Sequence, residues 1–249
     1  MIYDKNEIRK FFDNVLVPIN EDEAYFMCLA ARKKYLPEDS PIQLHRNHCT
    51  FGRQIVNRYD FNIYYSMLSK YETPESAYLD VNGVPLPESC KVVFANPNPS
   101  SVASAIYSLK TALAAIELEV ITSRKENFWK KYKSINSELM NGYQNSVSRK
   151  NWIDIDIDVI DKSIFDIEML RDCIVSMGVS SSNFYVIDTR GGAHVLLRNT
   201  GFSKELNPQS IVSLLSEELS HVSTEIKLCK SGLVPLPGTL QGNYPVKIW

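Results

Sequence analysis

Residues 152–158 read Trp152-Ile153-Asp154-Ile155-Asp156-Ile157-Asp158. Apolar and acidic residues alternate with period two, the signature of a strand with two unlike faces. Side chains at i, i+2 and i+4 of a strand share a face. Three carboxylates therefore line one side, and Ile153, Ile155 and Ile157 enter a core on the other. Like charges in a row repel unless a cation neutralises them. Hard divalent ions such as Mg²⁺ or Mn²⁺ take carboxylate oxygens and keep positions for water and phosphate. The competing reading is a solvated strand face that carries acids without a ligand.

Downstream, Ser163 is placed to cap a helix with the stripe Ile167, Leu170, Ile174 and Met177, and Gly178 stops it. Asn183–Asp188 and Ala193–Arg198 read as strands joined by a Gly-Gly turn. Asn207-Pro208 opens another helix, with proline at the first helical position. Thr224–Leu228 reads as a strand, and the tail from Pro237 as a turn followed by a strand. The order from residue 151 is βαββαβ with a terminal hairpin.

Upstream, Cys90–Asn96 reads as a strand. Pro97-Asn98-Pro99-Ser100-Ser101 stops it and caps a helix with the stripe Val102, Ala105, Ile106, Leu109, Leu113 and Ile116. Residues 124–150 are polar and basic with interleaved aromatics. They read either as a solvated helix or as a nucleic-acid face in which Lys130, Lys131 and Lys133 meet phosphates and Trp129 stacks on bases. The first ninety residues read as mainly helical. Asn20 to Lys34 runs from acidic to basic, which suits a helix dipole. Residues 54–71 carry Ile55, Val56, Tyr59, Ile63, Tyr64 and Leu68 at helical spacing. The expected division is a mainly helical region over 1–89 and a second unit over 90–249.

Of the 249 residues, 44% are hydrophobic and 22% charged, enough apolar material for a core without disulfide staples. The net charge of −2 excludes a protein that coats nucleic acid by bulk charge, but not one with a local basic face. No stretch reaches the length of an apolar membrane span, and the charged N-terminus lacks the apolar segment of a signal peptide. Cys28, Cys49, Cys90, Cys173 and Cys229 are widely spaced, which reads as reduced thiols in the cytoplasm. His45, His48 and Cys49 lack a second ligand pair and read as a polar loop.

Two further motifs carry chemistry. Asp188-Thr189-Arg190-Gly191-Gly192-Ala193-His194 combines a turn that lets backbone approach an anion, a guanidinium matched to phosphate, and a histidine. Pro235-Leu236-Pro237-Gly238-Thr239-Leu240-Gln241-Gly242 is a rigid turn offering backbone N–H groups, a hydroxyl and an amide; it also reads as a plain hairpin corner.

These residues resemble the archaeo-eukaryotic primase superfamily, which includes primase-polymerases of phages, plasmids and bacteria. Asp156-Ile157-Asp158 is similar to its acidic strand, and Gly192-Ala193-His194 to its small-x-His motif. The Pro-Gly-Thr-Leu-Gln-Gly turn resembles one near the end of the catalytic domain. The resemblance covers roughly residues 90–248. It implies an α+β fold: a primase-like catalytic core with a mixed sheet of RNA-recognition-motif order, preceded by the helical N-terminal region; the βαββαβ pattern itself places helices 163–177 and 208–221 on one face.

The resemblance implies a metal pair at Asp156/Asp158 or Asp154/Asp156, with Mg²⁺ or Mn²⁺. The family's third acid has no Asp after His194 to match it; Glu225 is the first candidate, then Glu217 and Glu218. Arg190, Gly191, Gly192, His194, Thr239, Gln241 and Lys247 would contact the nucleotide. The implied activity is template-directed nucleotidyl transfer from nucleoside triphosphates, making short primers on single-stranded DNA with two divalent metals. No phosphate-binding motif of the helicase type is present, so unwinding would fall to a separate replicative helicase. The rival expectation is a degenerate primase fold that binds nucleotide or DNA without catalysis. A third reading, a metal-dependent nuclease or replication initiator, lacks a suitable His pair.

Overall fold

A computed structural model describes the whole chain except residues 57–59, 73–77, 124–134, 201–205 and 230–231. The described residues form an α+β structure with antiparallel sheets and six α-helices. The helices are α1 Lys5–Asn14, α2 Phe61–Ser69, α3 Val102–Ser123, α4 Ile135–Asn145, α5 Ile167–Ser176 and α6 Pro208–Glu218.

The first sheet has the order β2-β1-β3-β9, from His48–Val56, Glu23–Arg32, Lys91–Ala95 and Val234–Pro235; β4, Ser100–Ser101, pairs with the start of β1. This overturns the helical reading of residues 20–34. The segment Glu23-Ala-Tyr-Phe-Met-Cys-Leu-Ala-Ala-Arg32 is a central strand, buried on both faces almost throughout. Tyr25, Met27 and Leu29 pack on α1 and α2, while Ala24, Phe26, Cys28 and Ala30 pack with Ala105 and Tyr143 of α3 and α4. The proposed helix over 54–71 is likewise shorter, because β2 runs to Val56 and Asp60 caps α2. β3, beyond the expected boundary at residue 89, pairs with β1, so one sheet draws on both parts of the chain.

The second sheet has the order β12-β6-β7-β5-β8, from Lys247–Ile248, Phe184–Thr189, Gly192–Arg198, Trp152–Val159 and Ser223–Leu228. A two-stranded ribbon of β10 (Leu240–Gln241) and β11 (Tyr244–Pro245) precedes β12. Every adjacent pair in the second sheet is antiparallel, so the expected mixed sheet is not found. β5 and β6 do run parallel, but β7 lies between them. This is the split βαβ arrangement.

Helices α5 and α6 cover one face, over Ile153, Ile155, Ile157, Val186, Val195 and Leu197. Asp166, not Ser163, caps α5, and residues 162–164 form a separate 3₁₀ turn. The opposite face is divided. Ile187, Leu196 and Ile248 join the core shared with the first sheet, and the β5–β8 half carries the acids. The Asn98 amide exchanges two hydrogen bonds with the Trp152 backbone, at 2.8 and 2.9 Å, and the Trp152 indole N–H donates to the Val15 carbonyl. These contacts fix the start of the acidic strand against the first sheet.

Candidate active site

The register sets the acids beside the histidine. Asp156 faces His194 on β7 and Lys227 on β8; Asp158 faces Gly192 and Glu225. Directly opposed residues share a face, so Asp156, Asp158, His194, Glu225 and Lys227 stand on one side of the sheet. Asp156, Asp158, Gly191, His194, Lys227 and Gln241 line a cleft of about 360 Å³, and Arg32, Lys34, Tyr35 and His48 come to it from the first sheet and the turn after β1.

Asp154 lies in the same row but does another job. It is buried, and its carboxylate meets His194 Nδ1 at 3.0 and 3.2 Å. His194 Nε2 then lies on the cleft side, 3.6 Å from Asp156 Oδ1. Of the two possible acidic pairs, Asp156 and Asp158 face the cleft, and Asp154 orients the histidine. Burial alone would lower the His194 pKa; the charge and hydrogen bond of Asp154, then Asp156 and Asp158, outweigh it and the net shift is upward. Burial raises the Asp156 carboxyl, with Asp158 and Asp154 adding to the rise and His194 opposing it.

The Gly-Gly turn brings β7 close to β5. Gly192 has φ +150°, and a Cβ there would lie 1.9 Å from the Ile157 carbonyl oxygen. Lys162 Nζ donates to the Gly192 carbonyl at 2.7 Å and pairs with Asp188, which holds the hairpin from behind.

The other predicted nucleotide contacts separate. Gln241 reaches the cleft and accepts the Arg190 N–H at 2.8 Å. The Arg190 guanidinium donates to the Gly242 carbonyl and lies over the Tyr35 ring, so it braces cleft-lining Tyr35 and does not itself line the cleft. Thr239 is fully buried and donates to the Leu236 carbonyl, which removes it from the site. Its turn instead receives α1: the Tyr3 and Asp4 N–H groups donate to the Gly238 carbonyl. Lys247 is exposed and registers with Asp188, in the row of Ala193 and Ile157 on the helix-covered face, away from the cleft. Glu217 and Glu218 sit at the end of α6, over that same covered face. Trp129, Lys130, Lys131 and Lys133 lie outside the described residues.

Arg32, Lys34 and Tyr35 are the members that sequence reasoning missed. Arg32 and Lys34 looked like the basic end of a helix; the end of β1 and the turn after it bring them, with Tyr35, to the cleft. Burial and then Arg32 lower the Lys34 pKa.

The chain matches no protein-family model, no curated protein and no solved structure. Among the described residues no three His, Cys, Asp or Glu side chains are set together as a metal cage. Asp156 and Asp158 still suit a hard cation, since Mg²⁺ is commonly held by one or two carboxylates with substrate phosphates and water completing its shell. A cation already stands against both: Lys227 Nζ is 4.0 Å from Asp156 and 3.7 Å from Asp158, and it contacts Glu225.

Proposed function

We propose that this chain is a divalent-metal-dependent nucleotidyltransferase of the primase type, making short primers on single-stranded DNA. The observation that carries the reading is the meeting of Asp156, Asp158 and His194 on adjacent central strands, at a cleft faced by Arg32 and Lys34. The strand order β8-β5-β7-β6, with the acids on β5 and the Gly-Gly-x-His turn opening β7, supports the resemblance to archaeo-eukaryotic primases and a core of RNA-recognition-motif order.

Asp156 and Asp158 would hold Mg²⁺ or Mn²⁺, which when bound supplies positive charge to the triphosphate and lowers the pKa of the attacking hydroxyl. His194, oriented by Asp154, donates from Nε2 to a phosphate oxygen. Arg32 and Lys34 add charge to the opposite wall, so the triphosphate is gripped from both sheets. Gly191 and Gly192 let the phosphates approach backbone. The template would follow the cleft in the cytoplasm, with a separate replicative helicase supplying single strands.

A second reading, a primase fold that binds nucleotide or DNA without catalysis, is favoured by Lys227 beside the acids. A primer-synthesis assay on single-stranded DNA with Mg²⁺ or Mn²⁺ separates the two. The enzyme reading expects template-dependent products that vanish in Asp156→Asn, Asp158→Asn. Nucleotide binding with no product from the wild type would establish the second reading instead.

A further inference from the structure

Lys227 lies on β8, an edge strand of the second sheet, directly opposite Asp156. Its side chain is 45% exposed and reaches back over the acidic row to Asp156, Asp158 and Glu225. The row holds the carboxylates of Asp154, Asp156, Asp158 and Glu225. Asp154 is committed to His194 and Glu225 to Lys227, which leaves Asp156 and Asp158 to carry the charge that one divalent ion neutralises. A lysine ammonium is a compact charge on a flexible stem, able to sit on carboxylates or swing away into solvent. The open edge of the sheet gives it that room.

We propose that the Lys227 ammonium is a built-in counter-ion that competes with divalent metal at Asp156 and Asp158. This rests on the reading of those two acids as the metal-holding pair. The first consequence is a site that takes one divalent ion, not two. The second is weak metal binding until nucleotide phosphates arrive. Their negative charge offers Lys227 an alternative partner, and its departure frees carboxylate oxygens for the metal. Metal and triphosphate then bind cooperatively.

Mn²⁺ titration of the full chain, followed by the loss of the free-ion electron paramagnetic resonance signal, tests this without any activity readout. Lys227→Gln removes the charge and should bind Mn²⁺ about tenfold tighter or take up a second ion. Lys227→Arg keeps a charge at the same place and should titrate like the wild type. An unchanged titration in Lys227→Gln overturns the proposal, as does a wild type that already binds two ions. So does a Lys227→Arg protein that behaves like Lys227→Gln, because packing rather than charge would then be the cause. The functional reading fails differently: neither the wild type nor Lys227→Gln would take up Mn²⁺, or Asp156→Asn, Asp158→Asn would retain it. Circular dichroism of each variant confirms that it is folded.

Discussion

At Gly192 a single hydrogen in place of a side chain decides the site. A Cβ would press into the Ile157 carbonyl, and the backbone angle is one that L-residues rarely adopt. The neighbour is backbone and cannot rotate away. Gly192→Ala is therefore expected to cost about 3 kcal/mol or more, read as a lowered urea midpoint. A midpoint equal to the wild type would mean that β7 does not approach β5 as described. Asp156 and Asp158 should behave in the opposite sense. Their charges face each other, Asp154 and Glu225, and burial already disfavours the Asp156 anion. Asp156→Asn, Asp158→Asn should match the wild type in stability or exceed it by about 1 kcal/mol in metal-free buffer. Marked destabilisation would show that these carboxylates serve the fold. Both the acidic strand and the turn-histidine were legible in the sequence, because period-two alternation and a Gly-Gly pair are local signals. The role of Asp154 was not. Three identical residues share one periodicity, and only the partner strand says which of them meets His194.

Among the elements, β1 shows where local signals fail. A strand buried on both faces has no alternation to read, and its Ala, Leu and Met residues are good helix formers. Its charged ends then imitated helix-dipole order. Glu23 at its start is buried and paired with Arg149, which lies just before β5. The Arg149 bonds lower the Glu23 pKa to about 2; burial opposes this, and the Asn20 N–H and Ser148 hydroxyl assist. A depressed carboxyl contributes stability that is present above its unfolded value and is lost as pH falls through the folded one. Wild type should exceed Glu23→Gln by on the order of 2–3 kcal/mol near neutrality, with the gap closing as pH falls toward about 2. Urea titrations across that range measure it, and a constant gap would contradict the pairing. The basic aromatic segment, outside the described residues, carries a separate expectation. If Lys130, Lys131 and Lys133 contact template phosphates, their replacement by Ala reduces the salt slope of DNA binding by about one unit per lost contact. An unchanged slope assigns them to a solvated helix.

In the whole molecule, two sheets meet along a shared core, and the cleft opens where that core ends. The second sheet brings the acids and the histidine; the end of β1 and the turn after it bring Arg32 and Lys34. The sequence spelled out the βαββαβ half, whose elements are local. The placing of the first sheet was hidden, since it depends on β3 and β9 pairing across much of the chain. Charge on the far wall should act on phosphate and not on the base. Arg32→Ala, Lys34→Ala should weaken nucleoside triphosphate binding about tenfold or more while leaving nucleoside binding unchanged, by isothermal titration calorimetry. Equal losses for both ligands would move these residues out of the phosphate site. A crystal structure with Mn²⁺ and a non-hydrolysable nucleoside triphosphate tests whether Asp156, Asp158 and His194 form one metal and nucleotide site. Anomalous Mn²⁺ density is expected between Asp156 and Asp158, with phosphate oxygens on His194 Nε2 and facing Lys34. Nucleotide and Mn²⁺ bound elsewhere, with the Asp156–His194 cleft holding only water, would contradict such a site.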